Sequence, residues 1–455
     1  MTHLETPSIA DIKQIIEQRD LTHIKVGVFD MDGILRGKYM SRDKFYSALE
    51  GGFGFCDVVL GWDSKDQLYD NVRYTGWHTG YPDAPVRILP ETRRDLPMED
   101  GGLFFLGEFA AAAENICPRG TLRRVLSQMQ EMGYGARAGF EYEFFIFEET
   151  PRSCREKHYR DMTPLEPGFF GYSAIRNSTH SDLYKGLLEL GEQMDFRIEG
   201  LHEETGPGVM EAAIQVDEAL RAADKGALFK TFCKIYMQRQ GLLATFMARW
   251  STDWPGSSGH IHISLSGNDG QSVFHAAGAE HGISDTMRHF LAGQQQFMPE
   301  LLAMIAPTVN SFRRLVPGFW APTDASLGID NRTCALRVVP GSAKSQRSEY
   351  RIAAADANPY LALAAALASG LEGVRRQLEP TPYVQGSAYE QKFPKRLALP
   401  QTLFEAAGRL RKSKMARDWF GDAFVDHYAA SREWEEREFR KAVTDWEMDR
   451  YFEII

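Results

Sequence analysis

The sequence predicts an α+β protein of two domains, a small strand-rich one followed by a larger one in which helices alternate with short strands. Three observations carry this. The chain has 455 residues, 43% of them hydrophobic, enough for two or three domains around a large core. Extended patterns dominate up to about residue 110. Beyond it, helical periodicity alternates with apolar extended segments that carry polar pairs at i and i+2.

Taken in order, residues 8–20 read as a helix. Ile24, Val26 and Val28 then alternate, Asp32-Gly33 supplies a turn, and Ile34 to Met40 returns as the second strand of a hairpin. Residues 42–50 look helical, a Gly-, Asp- and Pro-rich stretch follows, and Leu103–Phe109 reads as a strand. The boundary is expected near Glu108-Phe-Ala-Ala-Ala-Ala-Glu, giving domains of residues 1–110 and 111–455. In the second domain, helices are expected over 119–132, 178–194, 217–239 and 284–305, with extended segments at 134–147, 242–249 and 260–265. Asn358 is a natural N-cap with Pro359 at the first helical position, opening an Ala- and Leu-rich helix to about Gln377. The charged stretch from Leu403 onward reads as helical and as a solvated outer layer.

A formal net charge of −10 argues against a general grip on nucleic-acid phosphates or an anionic membrane surface. The N-terminus, Met1-Thr-His-Leu-Glu-Thr-Pro7, has neither the basic nor the apolar region of a signal peptide. Cys56, Cys117, Cys154, Cys233 and Cys334 are scattered and show no Cys-x-x-Cys spacing, as expected of reduced thiols in a cytoplasmic protein.

Three stretches place polar pairs two residues apart inside apolar extended segments: Glu141/Glu143, His260/His262 and Glu349/Arg351. In a strand such pairs share a face. One pair alone would fit a solvated sheet face; three pairs of Glu, His and Arg beside bulky apolar neighbours fit the lining of a cleft. A fourth stretch, His202-Glu203-Glu204-Thr-Gly206-Pro-Gly208-Val-Met-Glu211, sets carboxylates around a tight glycine loop. Oxygen-rich carboxylate sites with one imidazole suit Mg²⁺ or Mn²⁺, whereas zinc favours thiolate or more histidine. Arg313, Arg314, Arg332, Arg337, Lys344, Arg347 and Arg351 form a basic run in an acidic protein. Arginine forks bind carboxylate and phosphate bidentately, and acidic metal ligands beside arginines are what phosphoryl transfer requires. There is no Gly-x-x-x-x-Gly-Lys-[Ser/Thr] loop, so any nucleotide is held in another way.

Phe140-Glu-Tyr-Glu143-Phe-Phe, Gly256-Ser-Ser-Gly-His260-Ile-His262-Ile-Ser264, Arg314-Leu-Val-Pro-Gly318 and Asn358-Pro-Tyr360 together resemble the glutamine synthetase superfamily, nearly end to end. The resemblance implies an N-terminal β-grasp domain, a catalytic domain with a curved antiparallel sheet flanked by helices, and rings, usually a dodecamer of two hexamers, with sites between neighbours. It implies ATP as substrate and two or three Mg²⁺ or Mn²⁺ per site. Glu143, Glu203 and Glu211 match the ligands of one metal, and Glu141, His260 and Glu349 those of a second on the ATP phosphates. Gly256 and Arg314 match positions that hold the glutamate backbone. Arg332, Arg337 and Arg351 match arginines on the phosphates and the acyl phosphate, while His262, Ser264, Lys344 and Arg347 lie where the family contacts ATP.

Two positions depart from the ammonia-using pattern. Where the family's flap carries a glutamate, this chain has Trp320; an indole cannot take a proton but offers an apolar wall and a cation–π face, which favours an alkylamine. The ammonium-site aspartate has Asp57 as its nearest candidate. The expected activity is therefore ATP-dependent joining of glutamate to a methylamine-like amine through γ-glutamyl phosphate. Glutamine synthetase using ammonia and γ-glutamylpolyamine synthetase are the enzymatic alternatives, and a guanidine kinase shares the catalytic fold. A catalytically dead ring-forming scaffold is the alternative from another class, although all six metal positions keep their carboxylate or imidazole.

Overall fold

In the computed structural model, which describes residues 7–455, the expected hairpin forms. Asp32-Gly33 joins β1 (His23–Phe29) to β2 (Leu35–Ser41), with Gly33 at φ 76°. Asp30 secures the turn by accepting from the backbone N–H groups of Asp32 (3.0 Å) and Ile34 (2.9 Å). With β3 (Phe53–Cys56), β4 (Asp83–Ile88), β5 (Arg94–Leu96) and β6 (Gly102–Phe109) they make a sheet ordered β2-β1-β6-β4-β3, β5 pairing with β6. The helices Ile9–Gln18 and Arg42–Gly51 bury Ile12, Ile16, Phe45 and Leu49 in the core beside it. The reading of residues 1–6 as lacking a leader lies outside the described residues.

The second sheet is built on one long strand. β7 (Tyr134–Phe147) pairs along most of its length with β12 (Gly259–Gly267) on one side and with β9 (Val209–Ile214) on the other. β8 (Ile198–Glu203), β13 (Leu327–Ile329), β14 (Leu336–Val339) and β15 (Arg347–Tyr350) complete the order β13-β14-β15-β12-β7-β9-β8, and the short β10 (Asp217–Glu218) and β11 (Leu243–Thr245) also pair with β7. The sheet curls into a half-barrel. Strand alternation divides β7 cleanly: Phe140, Tyr142 and Phe144 are buried among Phe229 and Phe246 on the helix side, while Glu141 and Glu143 face the other way.

Two buried helices, Asp285–Ile305 and Pro359–Arg376, back the sheets. Asn358 caps the second by accepting from the Tyr360 N–H (3.1 Å), and its amide donates to the carbonyls of Asp30 (3.3 Å) and Met31 (3.1 Å), tying it to the β1–β2 turn. Gly33 permits this approach, since a Cβ there would stand 3.2 Å from Asn358 Cα.

Three expectations change. The helix expected over 178–194 is broken at His180 into Ala174–Thr179 and Ser181–Gln193, and the strand expected over 242–249 shrinks to β11. The C-terminal helices Leu403–Lys412, Lys414–Phe420, Asp422–Phe439 and Asp445–Tyr451 are not simply a solvated layer. Trp419, Phe424, Tyr428 and even Arg432 are buried. Arg432 donates to Asp32 of the first hairpin (2.8 Å) and to the Pro307 carbonyl (2.9 Å), so charge in this segment marks a buried clamp as well as a surface. Among the described residues no helix is long and apolar enough to cross a membrane.

Candidate active site

Cross-strand register assembles the site. Directly opposed residues in an antiparallel ladder project from the same face. His202 of β8 lies opposite Glu211 of β9, and Glu211 opposite Glu143 of β7. Glu141 of β7 lies opposite His260 of β12, His262 opposite Glu349 of β15, and Glu349 opposite Arg337 of β14. One row of acid, imidazole and guanidinium thus crosses five adjacent strand pairs, and all of it except His202 lines a cavity of about 450 Å³.

The row contains two groups able to hold a cation. Donor atoms of Glu141, His260 and Glu349 lie within 4.8 Å of one another, as do those of His202, Glu204 and Glu211. The first is held in its charged form. Burial alone would raise the carboxyls of Glu141 and Glu349, but the imidazoles of His260 and His262 outweigh it at Glu141, and His260 and Arg351 do so at Glu349. Burial and Arg351 lower His260, leaving a neutral imidazole as a metal ligand requires. In the second group, burial and the neighbouring carboxylates of Glu143, Glu141 and Glu204 push Glu211 up to about 9. Carboxylates crowded so closely can all ionise only with a cation among them, so the donor set fits Mg²⁺ or Mn²⁺.

Glu203, matched above to a metal ligand, does not join this group. It is the last residue of β8, one step from His202, and alternation turns it to the opposite face. There it is buried, 3.9 Å from Arg176. Glu204, just past the strand end, enters the cavity instead, accepting from Tyr172 Oη and lying 3.2 Å from His202 Nε2. Gly206 (φ 149°) and Gly208 (φ 66°) shape the turn back into β9.

The arginines converge in part. Arg314, Arg332, Arg337, Arg347 and Arg351 all line the cavity. Arg337 (2.9 Å) and Arg351 (2.6 Å) donate to the two oxygens of Glu349, which is buried. Arg347 Nε donates to His262 Nδ1 (3.0 Å), and His262 Nε2 lies 3.0 Å from Glu141 Oε1. Arg314 is buried and spends its N–H groups on the carbonyls of Ile352 (3.0 Å) and Arg351 (3.1 Å). Gly256 lines the cavity beside it and admits no side chain, since a Cβ would sit 2.3 Å from the Ala248 carbonyl oxygen. Ser264, farther along β12, and Lys344, on an exposed loop, do not line the cavity. Nor does Asp57, which is buried in the first half of the chain, where its carboxylate accepts from Thr75 Oγ1 (2.7 Å).

The mouth is aromatic. Phe319 and Trp320 line it, Trp320 in the left-handed region at φ 58° with 56% of its surface exposed. A bulky residue held there is strained, which an ordinary packing role does not need. Phe319 packs under Arg249, whose guanidinium carbon is 4.6 Å from the ring centre. Tyr172 stacks on His202 at 4.5 Å. Glu204 and Tyr172 were not singled out from the sequence. Counting alternation outward from Glu211 and His202 would have found the first; Tyr172 lies in a loop with no periodicity to place it.

The chain matches the family described as glutamine synthetase, catalytic domain, over residues 115–451. It is 43% identical to Type-1 glutamine synthetase 2 of Dictyostelium discoideum, covering 95% of this chain and 84% of that one. It is 34% identical to a glutamate–isopropylamine ligase of a Pseudomonas species, each covered in full, and 35% identical to a gamma-glutamylethanolamide synthetase of Streptomyces coelicolor, covering 98% and 96%. The solved structure of apo GmaS superposes with a TM-score of 0.84 at 24% identity, covering 98% of this chain and all of that one, a likeness of fold. A family match over most of the chain and relatives aligned along its whole length show that this protein belongs to the glutamine synthetase family.

Proposed function

We propose that the protein is an ATP-dependent ligase that joins the γ-carboxylate of L-glutamate to a small alkylamine of the methylamine kind. The observation that carries the ligase reading is the cross-strand row, which sets two cation-holding groups beside five arginines in one cavity. Cations held by Glu141, His260 and Glu349, and by Glu143, Glu204 and Glu211, would neutralise phosphate oxygens and the acyl oxygen. His262 and Arg347 hold ATP. Gly256 and Arg314 hold the glutamate backbone, so that its γ-carboxylate attacks the γ-phosphorus and ADP leaves. Arg332, Arg337 and Arg351 offset the charge on γ-glutamyl phosphate. The amine then attacks the acyl carbon, phosphate departs, and the amine nitrogen gives up a proton.

The choice of an alkylamine rests on Trp320. An indole at the mouth gives a methyl or ethyl group an apolar surface, and among the described residues no carboxylate beyond those of the two cation groups lines the cavity to grip a polyamine's distal charge. The names of two relatives, an isopropylamine ligase and an ethanolamide synthetase, agree with a substituted amine. Ammonia is the second reading, favoured by the name of the relative at 43% identity. Asp57 is absent from its own chain's cavity, so its proposed part in deprotonating the amine requires a neighbouring copy. A dodecamer of two hexameric rings would supply such a copy, with residues 1–110 and 111–455 as the proposed domains of each.

Phosphate release from ATP with glutamate and, in turn, ammonium, methylamine, ethylamine, isopropylamine and putrescine tests the proposal. Release should require both glutamate and an amine and be fastest with a small alkylamine. Failure with all five in both Mg²⁺ and Mn²⁺ defeats the ligase reading, and release without an amine points to a kinase.

A further inference from the structure

The mouth loop is barely held by its own backbone. Among the described residues no backbone–backbone hydrogen bond is made between Pro317 and Pro322, and these two prolines have no N–H to offer. Gly318 (φ 84°) and Trp320 (φ 58°) both lie in the left-handed region, one on each side of Phe319. Glycine adopts that conformation freely. Tryptophan does not, so its surroundings must keep it there.

Arg249 supplies the restraint. It stands between β11 and β12 and does not itself line the cavity. Its backbone is fixed from two sides by Asn310: the Arg249 N–H donates to Asn310 Oδ1 (2.8 Å), and its carbonyl accepts from Asn310 Nδ2 (2.8 Å). The next residue, Trp250, packs edge-on against Phe147 (4.9 Å) and Phe145 (5.6 Å) of β7, the strand that carries Glu141 and Glu143. Three carbonyls then orient the guanidinium: Nε donates to Ser251 (2.9 Å), Nη1 to Arg313 (2.8 Å) and Nη2 to Thr252 (2.8 Å). None of these acceptors is charged. The planar cation is left to face the Phe319 ring, whose centre is 4.6 Å from the guanidinium carbon. Arg314 does not depend on this contact. Thr308 and Ser311, at the start of its helix, each donate to Asp356 Oδ2 (2.8 Å), and its guanidinium donates to the Ile352 and Arg351 carbonyls.

We propose that Arg249 is the positioning residue of the amine mouth: by clamping the Phe319 ring it keeps the adjacent Trp320 in its strained conformation at the entrance. The proposal rests on the reading of Trp320 as the wall that meets the amine. Without the clamp the loop takes up other conformations, and the apparent affinity for amine falls with the fraction of chains that have Trp320 in place.

Kinetics and crystals test this together, the crystals needing no substrate. Arg249→Met keeps the aliphatic stem and removes the charge and the donors. It should raise the KM for methylamine at least fivefold, with kcat at saturating amine within threefold and the KM values for ATP and glutamate within twofold. A merely structural defect lowers the active fraction, and hence kcat, and does not raise one KM alone. Arg249→Lys, which keeps a cation over the ring, should recover most of the loss. Phe319→Leu should match Arg249→Met, and the double variant should exceed neither by more than twofold, because both changes break the same contact. In crystals of Arg249→Met and of Phe319→Leu, Trp320 should leave the position it holds in the parent. A lowered kcat with the methylamine KM unmoved overturns the proposal, as does a rise in the glutamate KM in its place, or KM rises that multiply in the double variant. If the parent releases no phosphate with any amine, the ligase reading fails and the crystals decide alone: Trp320 unmoved in both variants overturns the clamp.

Discussion

The floor of the catalytic cavity and its mouth are built in different ways. The floor is a ladder: His202, Glu211, Glu143, Glu141, His260, His262, Glu349 and Arg337 are fixed by backbone pairing, each opposite its neighbour on the next strand or two residues from it on the same one. The mouth is made of loops, with Trp320 in a strained left-handed conformation and Tyr172 stacked on His202. A register slip of one residue would turn every floor side chain to the wrong face, whereas a loop can exchange one residue and leave the rest in place. On the proposed function, the floor serves ATP and metal chemistry and the mouth the choice of amine.

The largest effect is expected on the floor. Glu349 is buried and takes hydrogen bonds from two guanidiniums beside His260. Glu349→Ala leaves Arg351 without its carboxylate and Arg337 with Asp330 alone, and breaking a buried charge pair from one side costs about 3–5 kcal/mol of stability. Ligation measured by phosphate release should fall by roughly 10³-fold or more, taking about 1.4 kcal/mol per decade of rate. Activity within tenfold of the parent would mean that the row is scaffolding.

A narrower test separates two adjacent glutamates. Glu204→Gln should lower kcat by about 10²-fold and raise the Mg²⁺ needed for half-maximal rate, the order expected when a ligand's charge is lost. Glu203→Gln, on the opposite face, should leave kcat within about threefold. The reverse order would return Glu203 to the metal.

Glu211 gives the floor a pH signature. Its folded carboxyl titrates near 9 against an ordinary value of 4.5, so between these limits the metal-free fold retains a proton that the unfolded chain has released. This contribution to stability is complete below 4.5 and is lost as pH rises toward 9. A bound cation must displace that proton, so Mg²⁺ affinity should rise with pH over the same window, by up to about tenfold per unit. Calorimetry at pH 6, 7 and 8 reads this directly, and a flat affinity would mean that Glu211 is already ionised without metal.

The same contrast explains what could be read in the sequence. Strand period two makes polar pairs in an apolar run visible, so the sequence alone places Glu141/Glu143 and His260/His262 each on one strand face. The same period accounts for Glu203: the glycine loop hides where β8 ends, and one residue of offset puts Glu203 on the face opposite His202 and Glu211. Asn358 and Pro359 announced their helix because capping is local chemistry, and the structure repeats it. The buried clamp of Arg432 on Asp32 was invisible, because 400 residues separate the partners and composition alone read the helix as solvated. Tyr172 depends on a loop that no periodicity encodes.

The smallest expected effect, and the one most specific to this chain, is at the mouth. Trp320 is more than half exposed and is held at φ 58°, so replacing it removes little packing and leaves the floor intact. Trp320→Glu exchanges an apolar wall for a carboxylate that attracts a small cation and can take its proton. One methyl group in an apolar pocket is worth about 1–3 kcal/mol, so the ratio of kcat/KM for methylamine to that for ammonium should fall by roughly tenfold or more. Trp320→Ala separates the two causes: losing the wall alone should weaken methylamine without improving ammonium, whereas Trp320→Glu should do both. The KM for ATP should not move in either variant, because the side of the cavity proposed to hold ATP is built on β12, β14 and β15. If the amine ratio stays fixed while the ATP KM shifts, then the mouth is coupled to the floor and the division of labour between ladder and loop fails.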